Sequence, residues 1–144
     1  MLEVEADAVR VALAGSNGAI DIGGTHPRRI AAGTSVRLVR GESFRITQLG
    51  DSGCAYLAIE GGIAMSPILG STSTYVRAAI GGIDGRALLR GHPLEMQQAS
   101  ATARPDRTQA QPYDLSLVQH IRVASGPLAQ FFRSSSIARL ALSA

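Results

Sequence analysis

Short runs in which apolar residues alternate with polar or small ones dominate the first third of the chain. Val9, Val11 and Leu13 occupy every second position before a glycine, which is the period of a half-buried strand. Ala19 to Ile22 forms another short apolar run, which two glycines end. The pattern predicts a mainly β domain whose strands are joined by tight turns.

Three more apolar runs predict strands further along. Ser35 to Val39 and Ser43 to Ile46 flank a short segment centred on Gly41, a spacing that predicts a β-hairpin. Tyr56 to Ile59 carries apolar residues on both faces, which predicts a central, fully buried strand.

The sixteen Gly and six Pro fall mostly between these runs, as they do where many turns join short strands. Long helices are therefore not expected. The tail from Ser134 is the exception, because Ile137, Leu140 and Leu142 share one side of a predicted short C-terminal helix.

A polar stretch divides the chain. Residues 97–112 are mainly Gln, Ala, Ser, Thr, Arg and Pro, with little to bury, and they predict a disordered linker or long loop. The expected organisation is a β domain at 1–96, the linker at 97–112 and, at 113–144, the start of a second, truncated segment. An apolar pattern from Leu117 to Val123 predicts a strand in this last segment.

Composition excludes several functions. All 14 basic residues are Arg, so a Schiff-base lysine, a Ser-Lys dyad and a phosphate-binding loop ending in Gly-Lys-Ser/Thr are ruled out. The net charge of +3 is dispersed along the chain, which does not indicate nucleic-acid binding. No apolar stretch approaches the roughly 20 residues that span a bilayer, and no leader opens the chain. A cytoplasmic protein is expected.

Cysteine and histidine offer little chemistry. Cys54 is alone and precedes an apolar run, so it is interpreted as an inert small hydrophobe. His26, His92 and His120 lie far apart without the spacing of metal ligands, and no metal site is expected.

Two glycine-rich stretches, at 61–74 and 81–88, carry the strongest candidate site. Glycines let backbone N–H groups approach an anion, hydroxyls add donors, and an Arg can bind a carboxylate or phosphate. The predicted substrate-binding residues are Gly70, Ser71, Ser73, Thr74 and Arg86. The competing interpretation, which the residue types alone favour, is that the glycines and hydroxyls serve ordinary turns, with Asp84 and Arg86 as a local ion pair.

A series of small motifs runs from the last predicted strand of the β domain through both glycine-rich stretches: Tyr56-Leu57-Ala58-Ile59, Gly61-Gly62-Ile63, Pro67, Leu69-Gly70-Ser71, Ser73-Thr74, Gly81-Gly82, Gly85-Arg86, Leu88, Gly91 and Leu94. In this order, the motifs resemble the signature of the biotin-dependent carboxyltransferase-type family. That family includes the C component of 5-oxoprolinase, urea amidolyase-related proteins and the second subunit of allophanate hydrolase. The set is specific, whereas any one motif would be weak.

The resemblance has limits that bear on function. It extends loosely over about the first ninety residues, and Gly126-Pro127 resembles the restart after the family's linker. Family members are longer at both ends, so this chain resembles the middle of the family domain, which implies an incomplete cyclophilin-like β-barrel. Three positions depart from the family: Thr72 stands where Arg is usual, and Tyr75 and His92 stand where Asp is usual.

What the resemblance implies is a subunit of an ATP-dependent amidohydrolase or carboxyltransferase-type complex, inactive on its own. A second, related subunit, similar to the B component of 5-oxoprolinase, is the implied partner. The implied substrate is a small amide or carboxylate, with ATP or biotin entering through the complex. A different class of function stays open: a non-catalytic regulatory binding module, like the family members that antagonise a kinase inhibitor. The residues alone identify no catalytic group.

Overall fold

A computed structural model describes residues 1–50, 52–111 and 123–142 of the chain. The elements within these ranges are β1 (Leu2–Glu3), β2 (Ala8–Ala14), β3 (Ala19–Gly23), β4 (Arg28–Ala31), β5 (Ser35–Val39), β6 (Ser43–Gln48), β7 (Tyr56–Ile59), two 3₁₀ turns at Val76–Ala78 and Ala129–Phe131, and the helix α1 (Ser134–Leu142). The predictions of a mainly β protein and of a short C-terminal helix are confirmed.

The strands form two antiparallel sheets. The first has the order β1-β6-β3-β4 and the second the order β5-β2-β7. The described strands do not close into a barrel, and the cyclophilin-like architecture stays a prediction.

The hydrophobic core joins the two sheets. Val11, Leu13 and Leu38 of the second sheet are almost completely buried, and they belong to one apolar cluster with Ile20 and Phe44 of the first. Since adjacent side chains of a strand point to opposite faces, the two-residue period seen in the sequence delivers these residues to one interior. The strands predicted at the start of the chain are confirmed as β2 and β3.

The hairpin predicted around Gly41 is wrong, because β5 and β6 belong to different sheets. The chain does turn tightly there: the Glu42 N–H donates to the Val39 carbonyl oxygen at 3.0 Å, and Gly41 has φ +83°. Each strand then pairs elsewhere, β5 with β2 and β6 with β3 and β1. The sequence spacing therefore specified a turn, while burial of the two strands in separate layers decided their partners.

The central, fully buried strand predicted at Tyr56 to Ile59 is also wrong. β7 lies at the edge of the second sheet, and Tyr56 is 70% exposed. Cys54, just before it, is likewise exposed, and its interpretation as an inert small hydrophobe stays a prediction. The central strand is β2, whose residues Ala8 to Val11 are all buried.

Residues 97–111, predicted as a disordered linker or long loop, are joined to β2 and β5 by backbone hydrogen bonds. The Ala101 N–H donates to the Ala8 carbonyl oxygen at 3.0 Å, and the Ser35 N–H donates to the Arg107 carbonyl oxygen at 2.8 Å. By its contacts, the chain divides into units at 1–113 and 114–144, so this segment belongs with the sheets. The polar composition did not indicate that this segment packs on the sheets. Backbone hydrogen bonds and one buried Arg hold it there, with little burial of apolar side chains.

The second unit contains the 3₁₀ turn at Ala129–Phe131 and α1. Ile137 and Leu140, on the predicted apolar side of α1, are exposed. Nearly all of the strand predicted at Leu117 to Val123 lies outside the described residues. No helix in the described ranges has the length and apolar character needed to cross a bilayer.

The corner between β5 and β6 should make folding stability depend on pH through Glu42. Burial raises the pKa of this carboxyl, but hydrogen bonds from the Arg28 side chain and the Val39 N–H, together with the charges of Arg28 and His26, outweigh it, so the net pKa lies below the ordinary value of 4.5. A lowered folded-state pKa stabilises the fold fully above the ordinary pKa and loses that contribution as the pH falls through the lowered value.

We therefore expect Glu42→Gln to destabilise the chain most at neutral pH and progressively less as the pH falls below the ordinary pKa of 4.5. Urea unfolding at a series of pH values measures this, with the exposed Glu95 changed to Gln as the control. Parallel stability curves for the wild type and Glu42→Gln would contradict the prediction.

Candidate functional site

The glycine-rich residues form one long loop whose two ends are paired. This site loop, residues 61–97, follows β7 and closes where Ile63 and Met96 form an antiparallel bridge. The Ala64 N–H donates to the Glu95 carbonyl oxygen at 2.8 Å at the same place. The loop therefore starts and ends at a fixed base.

The first half of the site loop contains a two-residue turn. The Ile68 and Ser71 backbones exchange hydrogen bonds of 2.9 and 3.0 Å, and both central residues have positive φ, Leu69 at 51° and Gly70 at 78°. These are the signs of a type I′ turn. The Ser71 hydroxyl accepts a hydrogen bond from the Ser73 N–H at 3.1 Å. Gly70 and Ser71 thus serve the turn itself.

Two glycines let the second half of the loop fold closely on itself. A Cβ at Gly85 would lie 2.2 Å from the carbonyl carbon of Ala79, and a Cβ at Gly82 would lie 1.8 Å from Oγ1 of Thr74. Both glycines also have positive φ. The missing side chain of Gly82 allows Thr74 to pack directly against the backbone, and that of Gly85 allows the Ala79 backbone to approach.

A shallow cavity of about 280 Å³ lies within the site loop. Among the described residues, its lining contains two with polar side chains, Thr74 and Arg86, and an apolar remainder made of Ile63, Met65, Val76, Ile83, Ala87, Leu88 and Leu94. An apolar wall with a few convergent polar groups is the usual composition of a small-molecule site.

Arg86 carries the positive charge of this pocket. Its Nη2 donates to Oδ2 of Asp84 at 2.9 Å, and both side chains are more than half exposed. The local ion pair expected from the sequence is therefore present, and at such exposure it contributes about 0 to 1 kcal/mol. That bond uses one of five guanidinium N–H donors, so the same group can also receive a ligand oxygen.

The structure brings together two of the five predicted substrate-binding residues. Thr74 and Arg86 line the pocket, whereas Gly70, Ser71 and Ser73 lie in or beside the type I′ turn. A role in substrate binding stays a prediction for all five.

Sequence reasoning missed a buried charged group beside the site loop. Arg10, on the central strand β2, has a side chain only 3% exposed, and its Nε lies 3.1 Å from Oε2 of Glu60, the residue before the loop. Its Nη1 donates to Asp106, and its Nη2 donates to the Arg104 carbonyl oxygen at 2.6 Å. Nη2 of Arg104 also lies 3.4 Å from Oε1 of Glu60. We call Arg10, Glu60, Arg104 and Asp106 the Arg10 cluster.

No group of three or more His, Cys, Asp or Glu that could hold a metal ion occurs in the part of the chain that the structure describes. His92 serves the loop backbone, since its Nδ1 accepts a hydrogen bond from the Leu89 N–H at 3.4 Å. His120 lies outside the described residues.

Comparison with known proteins agrees with the motifs of the site loop. The family model described as carboxyltransferase domain, subdomain A and B, matches residues 1–144. The chain therefore belongs to this carboxyltransferase-domain family.

Two curated relatives resemble parts of the chain. The urea amidolyase of Lachancea kluyveri is 40% identical over 63 residues, which are 44% of this chain and 3% of that protein. The C component of 5-oxoprolinase from Escherichia coli is 48% identical over 40 residues, which are 28% of this chain and 13% of that protein. The matched region is thus a small part of each relative.

Solved structures give the same picture for the fold. A structure of the protein TTHA0988 matches with a TM-score of 0.60 and 31% identity, over 74% of this chain and 37% of that one. The Kluyveromyces lactis urea carboxylase matches with a TM-score of 0.60 and 28% identity, over 72% of this chain and 9% of that one.

Proposed function

We propose that this chain is the small-substrate-binding part of a cytoplasmic, multisubunit enzyme that acts on an amide bond, with 5-oxoproline or a urea-like amide as the substrate. The observation that carries the proposal is the pocket of the site loop, which presents Arg86 and Thr74 within an otherwise apolar wall. 5-Oxoproline has a matching chemistry: its carboxylate suits a guanidinium, its lactam carbonyl suits a hydroxyl donor, and its ring carbons suit the apolar wall.

The size of the pocket favours a small ligand. Its volume of about 280 Å³ lies just below the usual range for drug-sized ligands, roughly 300 to 1,000 Å³. A nucleoside triphosphate needs several cationic or backbone donors for its phosphates, and one Arg does not supply them. ATP, and biotin where it takes part, would therefore be bound by other parts of the complex.

The lining chemistry also supports a requirement for a partner. Thr74 and Arg86, the polar residues described in the lining, do not act as general bases at neutral pH without activation. Reaction requires several groups held near their final geometry, and a displacement of about 1 Å can cost on the order of a hundredfold in rate. The proposed enzyme therefore places its acid–base groups on a second, related subunit, similar to the B component of 5-oxoprolinase. The chain alone should show no turnover.

The test is an assay of the native complex with and without Arg86. We expect Arg86→Ala, purified with its co-isolated partner, to raise the concentration of 5-oxoproline needed for half-maximal ATP hydrolysis by about tenfold or more, because a charged hydrogen bond is lost. Arg90→Ala, a change at a nearby exposed Arg, should leave that value unchanged.

The melting temperature of Arg86→Ala should also stay close to that of the wild type, because the ion pair with Asp84 is exposed. A wild-type complex that hydrolyses ATP independently of 5-oxoproline and of urea would contradict the proposed substrates. Turnover by the isolated chain would contradict the need for a partner.

One observation favours the second hypothesis, a non-catalytic regulatory binding module. The site loop exposes several large apolar side chains to solvent, namely Ile68, Leu69, Tyr75, Val76, Ile80, Leu88 and Leu89. An apolar surface of this kind suits protein binding as well as assembly with other subunits. Co-isolation of a sensor-kinase inhibitor, without ATP hydrolysis, would favour this function over the enzyme.

A further inference from the structure

The Arg10 cluster connects three parts of the chain that are distant in sequence. Arg10 lies in β2, Glu60 ends the connection from β7 to the site loop, and Asp106 follows the loop's other end. Glu60 is fixed twice, since its N–H also donates to the Arg10 carbonyl oxygen at 2.9 Å. One side chain on the most buried strand thus contacts both the residue before the site loop and the segment that follows the loop.

Burial of the Arg10 side chain makes its positive charge energetically costly. A guanidinium removed from water is costly unless carboxylates and carbonyl oxygens surround it. Here the surroundings come from the Glu60 and Asp106 carboxylates and from the carbonyl oxygens of Thr102 and Arg104, at 3.5 and 2.6 Å from Nη2. The segment after the loop must therefore stay docked on β2 for Nη1 and Nη2 of Arg10 to keep their hydrogen-bond acceptors.

The two ends of the loop lie within a few residues of the pocket walls. Ile63 and Leu94 both line the pocket. Ile63 follows Glu60 by three positions, and Leu94 comes before residues 102–106, which contact Arg10. The ends also touch, because a Cβ placed on Gly61 would lie 2.6 Å from Cβ of Gln98. A shift of either end would change the spacing of the walls.

We propose that Arg10 is a positioning residue for the pocket: by holding Glu60 before the site loop and residues 102–106 after it, Arg10 fixes the distance between the walls that carry Ile63 and Leu94. The consequence for ligand affinity rests on the function proposed above. The consequence for the loop itself does not.

The test compares two arginines that face each other across neighbouring strands. Arg37 on β5 is the register partner of Arg10, and its Nε donates to the Ala101 carbonyl oxygen at 3.4 Å. Arg37 therefore contacts the segment after the loop, and no described contact joins it to Glu60. Arg10→Met is the test variant and Arg37→Met the matched control, both in the full chain.

Hydrogen exchange of backbone amides is the first readout. In Arg10→Met, we expect the amides of Ala64 and Gln97, which close the base of the loop, to exchange about tenfold faster or more relative to those of β3. Arg37→Met should leave that ratio within about twofold of the wild type. An equal rise in both variants, or a rise shared by β3, would show a merely structural role and overturn the proposal.

Binding of 5-oxoproline is the second readout. We expect Arg10→Met to raise its Kd by about tenfold or more and Arg37→Met to change it by less than about threefold. An unchanged Kd in Arg10→Met, despite a loosened loop, would overturn the link to affinity. If the wild-type chain does not bind 5-oxoproline, the proposed function fails, while the exchange ratios still decide whether Arg10 positions the loop.

A milder variant covers the case in which Arg10→Met does not fold. Glu60→Gln removes the charge at the entrance and leaves Arg10 bonded to Asp106 and to the Arg104 carbonyl oxygen. It should raise the same exchange ratio at Ala64. Wild-type exchange at Ala64 in this variant would overturn the proposal.

Discussion

Ile20→Ala should lower the free energy of unfolding by about 2 to 5 kcal/mol, which is a large part of the roughly 5 to 15 kcal/mol that stabilises a domain. Ile20 is 0% exposed and lies in β3, the strand of the first sheet that pairs with both β4 and β6. Its truncation removes apolar burial and leaves a cavity between the sheets, which the neighbouring side chains fill only partly. Urea unfolding followed by circular dichroism measures the loss.

A matched control lies directly opposite, on β6. Ile46 is the register partner of Ile20 but is 37% exposed. Ile46→Ala should cost about 1 kcal/mol, because water already reaches part of its side chain. Equal losses in the two variants would contradict a core located between the two sheets at β3.

Gly85→Ala should destabilise the chain by about 2 to 4 kcal/mol and abolish the 5-oxoproline binding that is proposed above. Its φ of +63° is unfavourable for a residue with a Cβ, and that Cβ would lie 2.2 Å from both the carbonyl carbon and the carbonyl oxygen of Ala79. These are backbone atoms, which cannot move aside by a rotamer change, so the loop itself must rearrange. Arg86 is the next residue, and the rearrangement would displace it from the pocket.

Gly91→Ala separates the cost of a positive φ from the cost of the contact with Ala79. Gly91 lies in the same loop and has φ +86°, but a Cβ there meets nothing within 4 Å. It should therefore cost only the conformational penalty of about 1 to 2 kcal/mol and leave binding intact. Thermal unfolding and a 5-oxoproline titration of both variants make the comparison. Equal losses of stability would mean that the contact with Ala79 is unimportant.

Local pattern predicted β2, β3, β5, β6 and β7 but not β1 or β4, and the partners of all these strands depended on tertiary packing. The alternation of Val9, Val11 and Leu13 is sufficient to define β2, because one face of that strand is apolar. Gly41 correctly indicated a turn. The local sequence does not distinguish a hairpin from a connection between two sheets. Both have the same apolar alternation in the strands on either side of the turn.

The candidate site was predictable where it depended on glycine. Positive φ at Gly70 and Gly85, and the close backbone approach at Gly85, leave few alternatives, and such positions can be read as turns in a single sequence. Arg10 was not predictable in this way. Its partner Asp106 is 96 positions away, in a stretch whose composition indicates disorder, and one sequence gives no sign that the two meet.

The same separation has a consequence for synthesis on the ribosome. At about 5 to 20 residues per second, roughly 5 to 20 seconds pass between the addition of Arg10 and that of Asp106. During that interval the nascent chain can assemble β2 with β5, yet the guanidinium at the middle of the sheet still lacks its distal carboxylate. Nη1 and Nη2 of Arg10, whose partners all lie at residues 102–106, must then stay hydrated, which holds one face of β2 open. Completion of the Arg10 cluster therefore waits for Asp106, and until then this unfinished face is the surface that a chaperone would meet first.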